Sequence, residues 1–246
     1  MTMYAQEKIK PYGGNAHKRE QVEQLFDNIA PTYDALNHTL SFGFDRAWRR
    51  KAINTLATYN PKAVLDVATG TGDFALAIAR QLRLRHVMAV DISEGMMRIG
   101  REKAAREGLH DAVCFQKEDC SHLSFADDSF DAVTITFGVR NFENLDACLG
   151  EIRRVLSKGG HLVLLELSYP HNRLWRALFT IYSKVVMPIV GRLISGDNSA
   201  YTYLPETMKA FPQGEVMRDI LLKNGFSKAT FRRLTMGICT LYVAEK

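Results

Sequence analysis

The sequence offers little to disulfide chemistry, zinc binding, secretion or membrane spanning. It has four cysteines, Cys114, Cys120, Cys148 and Cys239, with no C-x-x-C pair and no companion histidine spacing. Such scattered thiols read as reduced side chains of a cytosolic protein, and no metal site is expected. The opening MTMYAQEKIKPYGGNAHKREQ lacks an apolar segment of the kind that precedes signal cleavage. No uninterrupted apolar run of about 18 residues occurs, so no spanning helix is expected. Internal repeats and low-complexity tracts are missing as well. So is a dense basic tract: 32 Lys and Arg stand against 27 Asp and Glu, a net charge of +5. That balance suits an anionic surface partner and excludes a dedicated nucleic-acid binder.

What is present is a sizeable core. Of 246 residues, 46% are apolar, enough for one large domain, or one domain with an appendage, without covalent staples. The first ten or so residues read as loose. From Lys18 to Arg50 the spacing of Val22, Leu25, Phe26 and Ile29 predicts helix, broken at Pro31 and Gly43. After Pro61 the rhythm changes. AVLDVA, HVMAVD, AVCFQK, FDAVTITFG and GHLVLLEL read as strands, with helices between them. Ser93 is the expected N-cap of the second of these helices, and Gly108 its stop. Such a series predicts an α/β fold: a parallel sheet covered by helices on both faces. FSKATFRRLT and GICTLYVAEK follow each other directly and predict a closing hairpin. The expected division is a helical cap over residues 1–60 and an α/β domain over 61–246, with a helical insertion at about 171–212.

The chemistry starts at VLDVATGTGDFA. Gly70 and Gly72 follow a strand and open a helix, where a ligand can approach the backbone. Gly70-Thr71-Gly72 with Ala75 satisfies a dinucleotide fingerprint, and Asp91 ends the second strand about 20 residues on. An acid there binds ribose hydroxyls in any adenosine ligand, so it does not separate NAD from S-adenosylmethionine. Asp66 does. Inside the first strand its carboxylate would repel a pyrophosphate and attract an ammonium and a sulfonium. The competing reading makes it a carboxylate that satisfies local backbone.

VLDVATGTGD, AVDIS and SFDAVTITFGVRN resemble the class I methyltransferases. More narrowly, FDNIAPTYDALNHTLSFGFDRAWRR, EIRRVLSKGGHLVLLEL and AYTYLPETMKAFP are similar to blocks of the ubiquinone/menaquinone-biosynthesis C-methyltransferases. The resemblance runs from about residue 20 to the end. Ala68 stands where many class I enzymes carry glycine. The resemblance implies a Rossmann-like, mostly parallel seven-stranded sheet with an antiparallel C-terminal strand, and S-adenosylmethionine as methyl donor. It implies that Thr71, Gly70 and Gly72 meet the methionine part, Asp91 the ribose, and Asp119 with Cys120 the adenine. Thr136 would face the cleft near the methionine, and Tyr33 would be a lid contact or a packed aromatic. Met96 and Met97 read as core filler, with a place for one of them beside the adenine slot as the alternative.

The implied reaction is methylation of a ring carbon in a demethylated prenylated quinol, 2-demethylmenaquinol or a benzoquinol precursor of ubiquinone. Such a carbon attacks well only when a neighbouring phenol, of pKa roughly 10, gives up or shares its proton. Arg140 already carries its proton and does not accept another, but its charge stabilises a phenolate. Asn141 either adds a hydrogen bond or caps the next helix. Water, His38 and Asp45 stay open as proton acceptors. Rival classes are a nicotinamide oxidoreductase and a non-catalytic Rossmann-like scaffold.

One more stretch asks for a partner. RLWRALFTIYSKVVMPIVGRLISG carries an apolar stripe at helical spacing, with Arg173, Arg176, Lys184 and Arg192 and no acid between Glu166 and Asp197. Residues 173–194 suit a peripheral helix on the inner face of a membrane, or a helix packed as lid or dimer face. Pro188 would kink it. A homodimer or a biosynthetic complex is compatible with either reading.

Overall fold

The computed structural model describes residues 3–186, 189 and 198–246, with side chains described from residue 202 in the last stretch. Pro188, Arg192 and the stripe beyond residue 189 lie outside the described residues.

Three helices come first: α1 (Lys18–Ile29), α2 (Tyr33–Leu40) and α3 (Phe44–Ala57). Pro31 sits in a short 3-10 turn between α1 and α2, and Gly43, at φ +75°, turns the chain into α3. The alternation that follows is β1 (Val64–Val67), α4 (Asp73–Leu82), β2 (Val87–Asp91), α5 (Glu94–Arg106), β3 (Val113–Lys117), β4 (Phe130–Thr136), α6 (Leu145–Val155) and β5 (Leu156–Leu167). Then come α7 (Arg173–Ile181), a π-helical turn (Tyr182–Val186), α8 (Asn198–Ala210), α9 (Glu215–Lys223), β6 (Lys228–Leu234) and β7 (Cys239–Glu245). The strands form one seven-stranded sheet in the order β3-β2-β1-β4-β5-β7-β6. β7 runs antiparallel to β5 and β6, and the remaining neighbours are parallel.

Local chemistry explains the element ends. Ser93 Oγ accepts from Met96 N at the start of α5, and Gly108 takes φ +67° after its end. All four residues of β1 are buried, as a strand covered on both faces requires. One layer of the core joins Leu65, Val133 and Leu162 to α6 and α9. The other joins Val64, Ala132 and Val163 to Ile53 and Leu56 of α3 and Phe74 and Ile78 of α4. So α3 packs on the sheet, whereas α1 and α2 form a separate cluster with Tyr203 of α8 through Val22, Leu25, Ile29 and Leu36.

Two expectations fail here. Residues 4–9 are tied down: Glu7 accepts from Leu145 N at 2.7 Å, filling the N-terminus of α6, and from Tyr4 N at 2.7 Å. The fully buried Lys18 donates to Gln6 O at 2.7 Å. And Asn141 does not cap α6. Residues Val139–Asn141 form a 3-10 turn, and Asn144 is the cap, its side chain accepting from Ala147 N.

Candidate active site

Strand ends and the N-terminal helices enclose a cavity of ≈140 Å³. Ala68 and Gly70 follow β1, Asp91 ends β2, Asp119 and Cys120 follow β3, and Thr136 ends β4; all line it. Arg19, Phe26 and Tyr33 cover them from α1 and α2. Met96 also borders this cavity, while Met97 is fully buried core.

The backbone here is unusual. Ala68 at φ +53° and Phe137 at φ +59° hold a left-handed conformation at the ends of adjacent strands. Strain of this kind persists where packing enforces it. Gly138 lets the two turns approach, since a Cβ there would lie 2.5 Å from Ala68 Cβ.

Carboxylates dominate the polar side. Asp91 Oδ2 accepts from Gly70 N at 2.8 Å and Oδ1 from Ser93 N at 2.9 Å. Burial still raises its carboxyl above the ordinary value, against the pull of those N–H groups. Asp66 lies beneath, bonded by Thr69 Oγ1 at 2.7 Å and Thr134 Oγ1 at 2.5 Å, and burial pushes it up to about 6. Asp119 accepts from Arg19 Nη1 at 2.7 Å. Burial opposes its ionisation, but the bonds from Arg19 and Ser121 hold it below its usual value. Two acids whose carboxyls burial holds upward fit a cationic ligand and disfavour a pyrophosphate.

A second cavity, of ≈300 Å³, adjoins the first. Phe26, Tyr33 and Phe137 line both. Its walls are apolar: Leu25, Ile29, Leu36, Trp48, Phe179 and Met208 among others. Arg140 borders it in a buried ion pair, Nη1 standing 2.9 Å from Glu166 Oε1 and also donating to Phe137 O. Glu166 takes a further bond from Arg140 N at 3.2 Å. Arg140 Nε and Asn141 Oδ1 are buried without a partner. Asn141 lies on the wall of the first cavity.

Four expected site residues are placed differently, lining neither cavity. Asp66 is enclosed by its two threonines. Thr71 Oγ1 donates to Asp34 Oδ1 at 2.6 Å and receives Lys103 Nζ at 3.1 Å. Gly72 serves packing: a Cβ would fall 2.7 Å from Phe115 Cζ. His38 stands behind the second cavity, its Nδ1 2.8 Å from Oδ2 of Asp45, which does line it. Thr71 and His38 belong to a charged latch between cap and glycine loop. In it Lys103 Nζ meets Asp34 and Asp73, each at 2.5 Å, and Arg49 Nη1 reaches Asp73 at 3.0 Å and Asp45 at 3.2 Å. Burial works against Asp73, yet Arg49 and Lys103 hold its carboxyl below the ordinary value.

Residues 15–246 match the ubiE/COQ5 methyltransferase family. The chain belongs to this family. It is 60% identical over 243 residues to a demethylmenaquinone methyltransferase of Bacteroides fragilis, covering 99% of each chain. It is 42% identical over 230 residues to a ubiquinone/menaquinone biosynthesis C-methyltransferase of Geobacter sulfurreducens, covering 93% of this chain and 90% of that one. In fold it resembles a SAM-dependent methyltransferase of Thermotoga maritima, with TM-score 0.62, 17% identity, and coverage of 91% and 99%. This ubiE/COQ5 member is therefore an S-adenosylmethionine-dependent methyltransferase, and the acid-lined cavity fits that donor. When bound, the donor supplies an electrophilic methyl on a sulfonium.

Reading the sequence alone missed Glu166, Phe137, Arg19 and Tyr203. An acid ending the buried strand GHLVLLEL was the one available signal, for Glu166. Nothing local marks the others.

Proposed function

We propose that this protein methylates a ring carbon of a prenylated quinol, converting 2-demethylmenaquinol to menaquinol. The name carried by the relative at 60% identity supports the acceptor. The observation that carries the reading is the wall shared by the two cavities. Phe26, Tyr33 and Phe137 border both an acid-lined chamber and an apolar one, so a cationic donor and a lipid-like ring can meet where the two chambers join. Holding donor and acceptor in line removes roughly 7–11 kcal/mol of barrier.

Arg140, on the wall of the apolar cavity, and Asn141, on the wall of the acid-lined one, act on the acceptor's oxygen where the two chambers join. Glu166 fixes the guanidinium at the cavity wall, where its charge stabilises a phenolate. Asp45 borders the same cavity with His38 hydrogen-bonded behind it, and this pair takes the phenolic proton. Mass spectrometry of cellular quinones after deletion of the gene tests the acceptor. Accumulated demethylmenaquinone supports the reading, and an accumulated benzoquinone precursor replaces it with the ubiquinone branch.

The same reading places the protein on the inner face of a membrane. No helix among the described residues is long and apolar enough to cross one. But α7 and the following turn expose Leu174, Leu178, Ile181 and Val185 at 67, 50, 62 and 51%. Arg173, Arg176 and Lys184 are exposed on the same segment, which suits an anionic bilayer. Trp175 and Leu178 join that surface to the apolar cavity, giving a prenyl chain a route between lipid and site. Co-sedimentation with anionic vesicles tests this placement. Equal partitioning onto neutral vesicles at high and low salt would contradict it.

A further inference from the structure

Tyr203 of α8 presents a problem that packing does not solve. Its ring is 4% exposed and sits among Val22, Leu25, Ile29 and Leu36, where phenylalanine would pack as well. Its hydroxyl is buried and has no hydrogen-bond partner. A buried hydroxyl left unpaired is destabilising, so some other component must satisfy it.

The rest of the cavity wall narrows the choice. Other polar side chains lining it are already engaged: Ser41 Oγ donates to Asp45 at 2.7 Å, and Tyr182 OH to Leu40 O at 2.6 Å. Thr235 Oγ1 accepts from Trp48 Nε1 at 2.7 Å. Among the described residues of this wall, the buried polar atoms without a partner are the Tyr203 hydroxyl and Arg140 Nε. The two groups feel each other: burial raises the Tyr203 phenol above its ordinary range, and the Arg140 charge pulls it back. The hydroxyl therefore stays protonated at neutral pH and can donate.

We infer that the Tyr203 hydroxyl is a substrate contact, donating a hydrogen bond to one ring oxygen of the bound aromatic acceptor beside Arg140. This rests on the proposed quinol-methylating function and adds a residue of α8 to Arg140 and Asn141. The acceptor oxygen gains negative charge as the ring carbon attacks, so the bond strengthens along the reaction. The wall contributed by α8 thereby selects rings that carry an oxygen at that position.

The test is Tyr203→Phe in the full chain. The probe is a naphthoquinol bearing one short prenyl group and no ring methyl, kept reduced with dithionite. Because the hydroxyl has no partner in the free protein, the variant is expected to unfold at the same temperature as the parent or higher. S-adenosylmethionine affinity, measured by calorimetry, should be unchanged. Catalytic efficiency toward the quinol should fall about tenfold, the usual consequence of leaving one buried acceptor unpaired. A lower unfolding temperature would assign the hydroxyl a structural partner and overturn the inference. So would kcat and KM both within twofold of the parent. A parent enzyme that binds S-adenosylmethionine yet transfers no methyl to the quinol defeats the functional reading, whereas an unimpaired variant defeats only the role of Tyr203.

Discussion

Asp66→Asn isolates the energetic cost of the acid beneath the glycine loop. Asp66 is fully buried in β1, and the register that pairs it with Thr134 brings that hydroxyl onto its carboxylate. Burial moves the carboxyl from 3.8 up to about 6. The sign follows from proton counting. Between those values the folded chain holds a proton that the unfolded chain has released. The favourable contribution is therefore complete below about 3.8 and is lost as pH rises through 6. At 1.36 kcal/mol per pH unit, the native state at pH 7 is about 3 kcal/mol less stable than it would be with an unshifted carboxyl. Asparagine keeps the shape, accepts from one threonine and donates to the other. Urea denaturation of both proteins from pH 4.5 to 7.5 gives the difference in stability, in which most other titrations cancel. The Asn variant should gain about 2 kcal/mol on the parent across that range, chiefly below pH 6.5. A difference independent of pH would refute the argument. If the charge is kept for a cationic ligand, the parent's S-adenosylmethionine affinity weakens as pH falls through 6, and the variant binds more weakly with no such dependence.

Two further outcomes follow from packing and from the buried pair. Replacing Arg140 alone by Met strands the Glu166 charge and should destabilise by about 3–5 kcal/mol, while Arg140→Met with Glu166→Leu should recover most of that loss. Methyl transfer stays abolished in both; activity in the double variant would show that the guanidinium only holds the fold together. Gly138→Ala forces a methyl to within 2.5 Å of Ala68 Cβ and should cost about 1–3 kcal/mol. Ala68→Gly removes that contact and the strained φ of +53°, so a double-mutant cycle by thermal denaturation should show coupling of at least about 1 kcal/mol. Additive effects would mean the two turns do not press on each other.

Much of the sheet was legible because its signals are local. β-branched runs, glycine stops and the Ser93 cap each act within a few residues, and the chain obeys them from β1 to β7. The cavity wall was legible where a strand ends, since ligands of such sheets collect there: Gly70, Asp91, Asp119, Cys120 and Thr136 share it. What escaped was set by distant partners. Glu7 reaches Leu145, Arg140 reaches Glu166, and Tyr203 arrives from a helix more than sixty residues beyond the turn it faces. Motif spacing points Thr71 and Gly72 at a ligand and says nothing of their other neighbours, the cap's Asp34 bonded to Thr71 and the ring of Phe115 against Gly72. Asn141 and Asn144 are equally good caps by residue type; the 3-10 turn ahead of Phe142 selects the second.

The central claim is that two adjoining chambers bring a sulfonium methyl to the carbon of a reduced lipid ring. Purified protein given S-adenosylmethionine with a labelled methyl and demethylmenaquinone, with and without dithionite, tests it most directly. Mass spectrometry should find the label on a ring carbon of the product in the reduced reaction and little or none in the oxidised one. Equal transfer to the oxidised quinone, or label on oxygen instead of carbon, would contradict it.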